Sequence, residues 1–207
     1  EAAVASGRVG VAVYAEGAEA MSARLVAIAL SEAGGRATMV RVPLDPARRK
    51  ELMAILEPLF TSPAATVVSH DIKRDMILLR REGIDLIAPY FDTSLAHYVL
   101  QPEMRHRLAD VAMQVLHYQT ADYSDAPASR KTAVSLPDEL LTERLCEQAD
   151  ICRRMMEPLQ QLLAENGQLP LLRDVELPLA RVLAEMEWTG VRIDIPELRE
   201  LSAQLTA

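Results

Sequence analysis

The sequence has no excess of basic residues and almost no cysteine. Its 207 residues carry 22 Lys and Arg against 30 Asp and Glu, a formal net charge of −8. Because affinity for a phosphate backbone rests mainly on Lys and Arg, this charge argues against an autonomous nucleic-acid-binding protein. It leaves open a module that receives a strand end from a basic neighbour. The two cysteines, Cys146 and Cys152, are six apart on a predicted helix, which indicates core thiols of a reduced, cytosolic protein.

Long apolar runs and a secretion signal are also missing. No run of about 18 apolar residues is present, and the N-terminus lacks a basic region followed by an apolar one. We therefore expect a cytoplasmic protein without membrane association. Half of the residues are apolar, and the length suits one globular domain with a large core. The chain ends at Ala207 within a helical pattern, which suggests a fragment of a longer protein.

Short β-branched runs in the first third of the chain predict four strands. Residues 1–8 are small and polar and are expected to be a disordered lead-in. A hairpin turn at Gly34-Gly35 would join the second strand to the third. The predicted strands are residues 9–15, 24–30, 37–42 and 66–69.

Helical signals alternate with these strands and then dominate. Pro46 begins a helix whose apolar positions are Leu52, Ile55, Leu56 and Leu59. Asp71 is predicted to cap a helix at residues 72–81 that Gly83 ends, and helices at 94–100 and 108–116 follow. Residues 121–136 are rich in Asp, Ser, Ala and Pro and are predicted to be an exposed loop.

Two long helices are predicted after this loop. Both carry apolar residues at alternating spacings of four and three, as helices packed on a core do. The first contains Leu145, Ala149, Cys152, Met156, Leu159 and Leu163, and the second contains Leu172, Val175, Leu179, Val182 and Met186. Three antiparallel strands followed by a helix, a strand and several helices indicate an α/β domain with a mixed sheet.

The segment from Thr66 to Asp92 contains the main candidate functional residue. It reads Ser-His-Asp-Ile-Lys-Arg-Asp at 69–75, and Phe-Asp-Thr follows the helix at 91–93. Asp75 falls on the first turns of the helix, where its carboxylate can face a site at the carboxyl edge of the sheet. Asp92 with Thr93 is interpreted as a cap for the next helix. The four histidines have spacings that suit no metal site, so structural or surface roles are expected.

In this order and spacing, these segments resemble the 3′–5′ exonuclease domain of family A bacterial DNA polymerases, the DNA polymerase I type. Residues 69–75 are similar to the second exonuclease motif, with the core Asn-x-Lys-Tyr/Phe-Asp. Residues 187–194 resemble the segment that leads towards the polymerase thumb, and 147–150 lie where the third motif is expected. The resemblance implies an exonuclease-like domain at 9–186 and a truncated connection at 187–207.

The resemblance further implies an RNase H-like fold of the DEDD type. In this family four carboxylates hold two divalent metal ions. Such ions, about 3.5–4 Å apart, stabilise the attacking and leaving oxygens of an in-line displacement. The family pattern is Asp-x-Glu on the first strand, Asp on the second-motif helix and Tyr-x-x-x-Asp on the third-motif helix. The Tyr orients the attacking water.

Carried over to this sequence, the first two motifs are only partly retained. Tyr14 stands where the first Asp is expected, and a neutral phenol cannot bridge two metal ions. Glu16 and Asp75 are retained, and Asp71 stands at the position of the motif's Asn.

The third motif has lost both of its functional residues. Arg144 replaces the Tyr and Gln148 replaces the Asp, and the two keep the spacing that places them on one helix face. Asp150 and Glu147 do not substitute, because they lie about 200° and about 100° round the helix from the expected position. We hypothesise that the Arg144 guanidinium replaces the metal charge in a salt-bridged cluster with Asp75 and Glu16.

These replacements predict a degenerate exonuclease domain retained as a structural part of a DNA polymerase in replication and repair. No functional catalytic residue, metal ligand set or cofactor is expected. The expected partners are the polymerase domain of the same chain and, through the parent protein, DNA, and the isolated domain is expected to be a monomer. One alternative is an active or weakly active exonuclease that needs Mg²⁺ or Mn²⁺, and another is an unrelated α/β binding module. The vestigial site comprises Tyr14, Glu16, Asp71, Asp75, Arg144 and Gln148.

Overall fold

The computed structural model describes residues 7–121 and 137–206. Residues 1–6 of the predicted lead-in and 122–136 of the predicted loop lie outside this range. Arg8, expected in the lead-in, is instead the first residue of a strand. It belongs to the strand because it pairs with Thr66 of the neighbouring parallel strand.

The described residues form a mixed five-stranded sheet, which confirms the predicted fold class. The strand order is β3-β2-β1-β4-β5, in which β1 to β3 are antiparallel neighbours. Strands β4 and β5 run parallel to β1, so their carboxyl ends lie at one edge of the sheet. The strands are β1 (Arg8–Glu16), β2 (Arg24–Ala33), β3 (Arg36–Arg41), β4 (Thr66–Ser69) and β5 (Tyr90–Asp92).

Helices cover both faces of this sheet. The first five are α1 (Pro46–Thr61), α2 (Ile72–Arg81), α3 (Thr93–Leu100), α4 (Leu108–Leu116) and α5 (Asp138–Glu165). A composite helix follows, made of α6 (Leu169–Leu171), a π-helical turn (Leu172–Glu176) and α7 (Leu177–Thr189). The last described helix is α8 (Ile195–Thr206). None of the helices described is both long and apolar enough to cross a membrane.

Alternate residues of β1 point into two different cores. Val9 and Val11 pack with α1 and α2 on one face of the sheet. Ala12 and Tyr14 face α5 on the other face, where Leu145 and Ala149 are buried. The strand period of two therefore places Tyr14 on the same side of the sheet as α5, which carries Arg144 and Gln148.

Local signals in the sequence place most element boundaries correctly. The hairpin turn at Gly34-Gly35 joins β2 to β3, and Gly35 has φ of 72°. Asp71 caps α2 by accepting a hydrogen bond from the Arg74 N–H. Gly83, with φ of 86°, follows the end of that helix. All three predictions are confirmed. These features were predictable because each depends only on residues close in the sequence.

One of the apolar residues that predicted helix α1 does not face the core. Ile55 is 68% exposed, whereas Met53, Leu56 and Leu59 are buried together with Phe60. The buried face is centred near Leu56, and Ile55 is offset from it by one residue, about 100° round the helix.

The second long helix presents most of its predicted core residues to solvent. Leu172 is buried, but Val175, Leu179, Val182 and Met186 are 42–63% exposed. Ala180 and Ala184 are buried instead, and Trp188 packs against the same core. The prediction that this apolar series packs on the domain core was therefore wrong beyond Leu172.

The π-helical turn explains this error. Pro178 has no N–H to donate to the carbonyl of Asp174, and the Leu177 N–H bonds to the Leu172 carbonyl, five residues back. The wider turn moves the buried face on by one residue, about 100° round the axis. Consequently the buried series after Leu172 continues through Ala180 and Ala184.

Candidate functional site

Asp75 lies buried where α2 passes the carboxyl end of β4. The strand ends at Ser69, and the polar turn after it lets α2 begin at Ile72. This short path returns the helix to the strand end, so Ser69 Oγ donates a hydrogen bond to Asp75 Oδ2. Asp75 is 5% exposed. The predicted placement of its carboxyl at the sheet edge is therefore seen in the fold.

The pKa of Asp75 is raised to about 7, first of all because burial disfavours the charged form. The Ser69 hydrogen bond and Arg74 lower this pKa, while the charges of Asp71 and Asp92 raise it. A carboxyl group in this environment holds its proton more tightly than a free aspartate does.

The two aspartates beside Asp75 are engaged by backbone N–H groups. Asp71 accepts from Arg74 N at 3.3 Å as the cap of α2. Asp92 accepts from Ile72 N at 2.8 Å, and from Ser94 N and Leu95 N as the cap of α3. Burial raises the pKa of Asp92 to about 6, although the three N–H donors oppose that shift. The predicted capping role of Asp92 is thus seen directly.

Glu16 lies at the end of β1 and forms an ion pair with Arg24 of β2. Glu16 and Arg24 are cross-strand partners in the antiparallel register. The pairing uses Glu16 Oε2, while Oε1 is buried and accepts no hydrogen bond from the described residues. Two residues earlier, Tyr14 is half-buried against the core beneath α5.

Arg144 and Gln148 are half-buried on α5, one turn apart. Glu16 forms its ion pair with Arg24. Among the charged groups, Asp71, Arg74 and Asp92 shift the pKa of Asp75 most. The proposed cluster of Arg144 with both carboxylates stays a prediction.

The two other acids of the third-motif segment have separate structural roles. Asp150 accepts a hydrogen bond from Gly35 N at 2.8 Å and so ties α5 to the β2–β3 turn. Glu147 accepts from Tyr118 Oη at 3.1 Å and from Ala121 N at 3.0 Å. Both acids therefore stabilise loops next to α5.

Within residues 7–121 and 137–206, no group of three or more His, Cys, Asp or Glu side chains is arranged to hold a metal ion. Tyr14 and Gln148 stand at two of the positions where the resemblance predicts ligands, and Glu16 and Asp75 are engaged by Arg24 and Ser69.

Three of the four histidines form a hydrogen-bonded network that their spacing in the sequence does not reveal. His70 Nε2 donates to the His106 carbonyl at 2.7 Å, and His70 Nδ1 lies 2.8 Å from Thr93 Oγ1. His97, which is buried, contacts His106 through their Nδ1 atoms at 2.8 Å. Burial lowers the pKa of His70. The network links the turn after β4 to α3 and to the loop before α4, in agreement with the predicted structural role.

Sequence reasoning missed the partners of the two retained acids. Arg24 could have been found from the hairpin register, because it begins the strand that pairs with the end of β1. Ser69 carried a weaker signal, a hydroxyl at a strand end six residues before Asp75. Only the return of α2 onto the strand brings Ser69 and Asp75 together.

Comparison with known proteins connects this arrangement to one family. The sequence model described as "3'-5' exonuclease" matches residues 10–149. DNA polymerase I of Bacillus subtilis is 38% identical over 139 residues, which is 66% of this chain and 16% of that protein. DNA polymerase I of Geobacillus stearothermophilus is 34% identical over 137 residues, again 16% of its length. The matched region thus spans about a sixth of these relatives.

Solved structures give the same result for the fold. A structure described as the POL domain of Pol1 from M. smegmatis, in complex with DNA primer-template and dNTP, is 28% identical with a TM-score of 0.77. The match covers 96% of this chain and 31% of the mycobacterial chain. Brucella melitensis NrnC bound to pGG has a TM-score of 0.72 over 90% of this chain and 89% of its own, and at 18% identity it shows the fold alone.

Proposed function

The chain belongs to the 3′–5′ exonuclease family, and on that premise we propose that it is the exonuclease-like domain of a DNA polymerase I that has lost proofreading activity. Its role is structural, within a parent polymerase that acts in replication and repair in the cytoplasm. The match to the exonuclease family excludes the alternative of an unrelated α/β binding module.

One observation carries the proposal: of the four positions that hold carboxylates in the family, only those of Glu16 and Asp75 are acidic, and both are already engaged. Arg24 neutralises Glu16, and Ser69 holds a carboxyl whose pKa is raised to about 7. Two divalent cations next to Tyr14 and Gln148 would lack the negative charge that balances them. The proposal therefore includes no metal ion and no catalytic step in this domain.

A direct test is incubation of the chain with a single strand labelled at the end opposite the 3′ terminus, in Mg²⁺ and separately in Mn²⁺. We expect the strand length to stay constant within the background of a Glu16→Gln, Asp75→Asn control. Metal-dependent shortening by the unmodified chain that the control lacks would overturn the proposal.

A complementary test restores the family residues. The triple variant Tyr14→Asp, Arg144→Tyr and Gln148→Asp places acids at all four positions, and we expect it to bind Mn²⁺ where the unmodified chain does not. Calorimetric titration on variants whose folding is verified by circular dichroism gives the answer. A folded triple variant without Mn²⁺ binding would show that these positions do not form the ancestral site.

A second candidate function is weak, metal-dependent 3′–5′ exonuclease activity. It is favoured by Glu16 Oε1, a buried carboxylate oxygen with no hydrogen-bond donor among the described residues. Such an oxygen is available to a cation. If this candidate is correct, activity appears in Mn²⁺ and is lost in Glu16→Gln.

A further inference from the structure

The composite helix has two apolar faces, and only one of them is covered. Its inner face carries the buried Ala180 and Ala184 and the partly buried Trp188, packed against the core. Its outer face carries larger side chains, defined here as the outer stripe: Val175, Leu179, Val182 and Met186, which are 49, 42, 52 and 63% exposed. Ala180 and Ala184 let the helix lie close to the domain, while four larger apolar side chains point outward, as suits a helix held between two bodies.

A groove adjoins the outer stripe. It has a volume of about 270 Å³ and lies between α7 and the N-terminal turns of α2 and α3. Leu95, Leu179 and Leu183 form its apolar wall, and Asp71 and Lys73 are among its polar lining residues. An apolar surface with a polar-rimmed groove can receive an anchoring side chain from a partner, as the centres of protein interfaces do.

Helix α8, which follows α7 in the chain, also exposes apolar side chains. None of its residues is buried, and its leucines Leu198, Leu201 and Leu205 are 51, 50 and 82% exposed. Scattered exposed leucines need no explanation, but an apolar stripe that adjoins a groove usually marks an interaction site.

We propose that the outer stripe and its groove are the surface on which the polymerase domain of the parent chain docks. This inference rests on the proposed function, because it requires the parent chain to be a DNA polymerase I. The mycobacterial structure matches 96% of this chain, so the helix that carries the stripe belongs to the shared fold. More than two thirds of that polymerase lies outside the match and is available to cover the stripe.

The ion pairs of α7 agree with this orientation. Glu185 pairs with Arg80 and Glu187 with Lys73, so both acids point back towards α2. Arg181 likewise donates to the carbonyl of Leu86 on the domain body. The charged groups of α7 thus hold the helix against the exonuclease-like domain and leave the outer stripe apolar.

Cysteine labelling tests the proposal. Val182→Cys is prepared in the 1–207 chain and in the full-length parent protein, and alkylation at residue 182 is followed by peptide mass spectrometry. Ile55→Cys is the matched control, since Ile55 is a β-branched residue 68% exposed on α1. We expect alkylation at residue 182 to be at least tenfold slower in the full-length protein, with less than a twofold change at residue 55.

A charge variant then tests whether the stripe makes the contact. In the full-length protein carrying Met186→Cys, Val182→Asp should restore alkylation at residue 186 to the rate seen in the 1–207 chain. Ile55→Asp should leave residue 186 protected. Equal alkylation of residue 182 in the two proteins would overturn the proposal. Protection that instead rises with the concentration of the 1–207 chain would also overturn it, because a second copy would then be the occupant.

Exonuclease assays on the same full-length protein keep the two proposals separate. DNA shortening that is lost in Glu16→Gln, Asp75→Asn would overturn the loss of proofreading and leave the docking result unchanged. Failure of protection at residue 182 in a protein without exonuclease activity would overturn the docking surface alone.

Discussion

Asp75 and Asp92 illustrate how differently two buried carboxyl groups can be accommodated at one sheet edge. Asp92 accepts three backbone N–H bonds, and these oppose the effect of burial on its pKa. Asp75 has one hydroxyl donor, and its pKa rises further, to about 7. Backbone caps suit an ionised carboxylate. The environment of Asp75, with burial and a single hydroxyl donor, instead favours the protonated acid more strongly.

The raised pKa of Asp75 predicts that stability falls as pH rises from about 4 to about 7. In this window the unfolded chain has released the proton that the folded chain still holds. Asp75→Asn should remove this part of the pH dependence and stabilise the chain at pH 8, by on the order of 2–4 kcal/mol. Urea unfolding at pH 5 and pH 8 measures the free energy of unfolding of both proteins and so tests this expectation.

Asp85→Asn is the control for this experiment, since Asp85 has an exposed side chain. It should leave the pH dependence as in the unmodified chain. Some dependence should persist in Asp75→Asn, because burial also raises the pKa of Asp92, to about 6. An Asp75→Asn variant with the same difference between pH 5 and pH 8 as the unmodified chain would contradict the assignment.

At the scale of helices and strands, features set by neighbouring residues were predictable and features set by packing were not. The Gly34-Gly35 turn and the Asp71 cap are local, and both are as predicted. The face of the composite helix depends on the π-helical turn, whose one visible signal is Pro178. The partners of Asp75 and Glu16 depend on how α2 and β2 return to the sheet edge.

Gly10 controls how closely α5 crosses the sheet. A Cβ at this position would lie 2.0 Å from the Ala149 carbonyl oxygen and 2.7 Å from Arg153 Cβ. Gly10→Ala must therefore displace the helix backbone, and we expect it to lower the free energy of unfolding by about 2 kcal/mol or more. Gly34→Ala, where no atom lies within 4 Å of the added Cβ, should change stability by less than about 0.5 kcal/mol. Chemical denaturation of both variants gives the comparison, and equal losses would contradict the close approach.

The face assignment of α7 is tested by two enlargements. Ala184→Leu adds volume against a packed core and should lower the free energy of unfolding of the 1–207 chain by about 1–3 kcal/mol. Val182→Leu, on the outer stripe, should stay within about 0.5 kcal/mol of the unmodified chain. Thermal and urea unfolding measure both. The opposite ranking would mean that the regular series, without the π-helical turn, describes the helix.

At the scale of the whole molecule, α7 packs on the exonuclease-like domain along its length, including its last turn. Trp188 packs against the core, and the Arg80 guanidinium lies 4.6 Å from the centroid of its indole ring. Near the start of α7, Tyr90 Oη donates to the Leu177 carbonyl at 2.9 Å. The predicted boundary at residue 187 therefore falls between residues that contact α2 on both sides, Glu185 and Trp188.

Two truncations locate the end of the folded unit. Ending the chain after Met186 removes Glu187, whose exposed ion pair with Lys73 contributes little, and Trp188, whose packing and cation–π contact contribute more. We expect a loss of about 2 kcal/mol, or about 4–8 °C in Tm for a chain of this size. Ending after Gly190 removes α8, which has no buried residue, and should change Tm by less than about 2 °C.

Trp188→Ala in the longer chain should reproduce most of the loss if the indole is responsible. If the two truncations melt together, the boundary lies at residue 187 as the sequence suggested, and the last turn of α7 belongs to the connection.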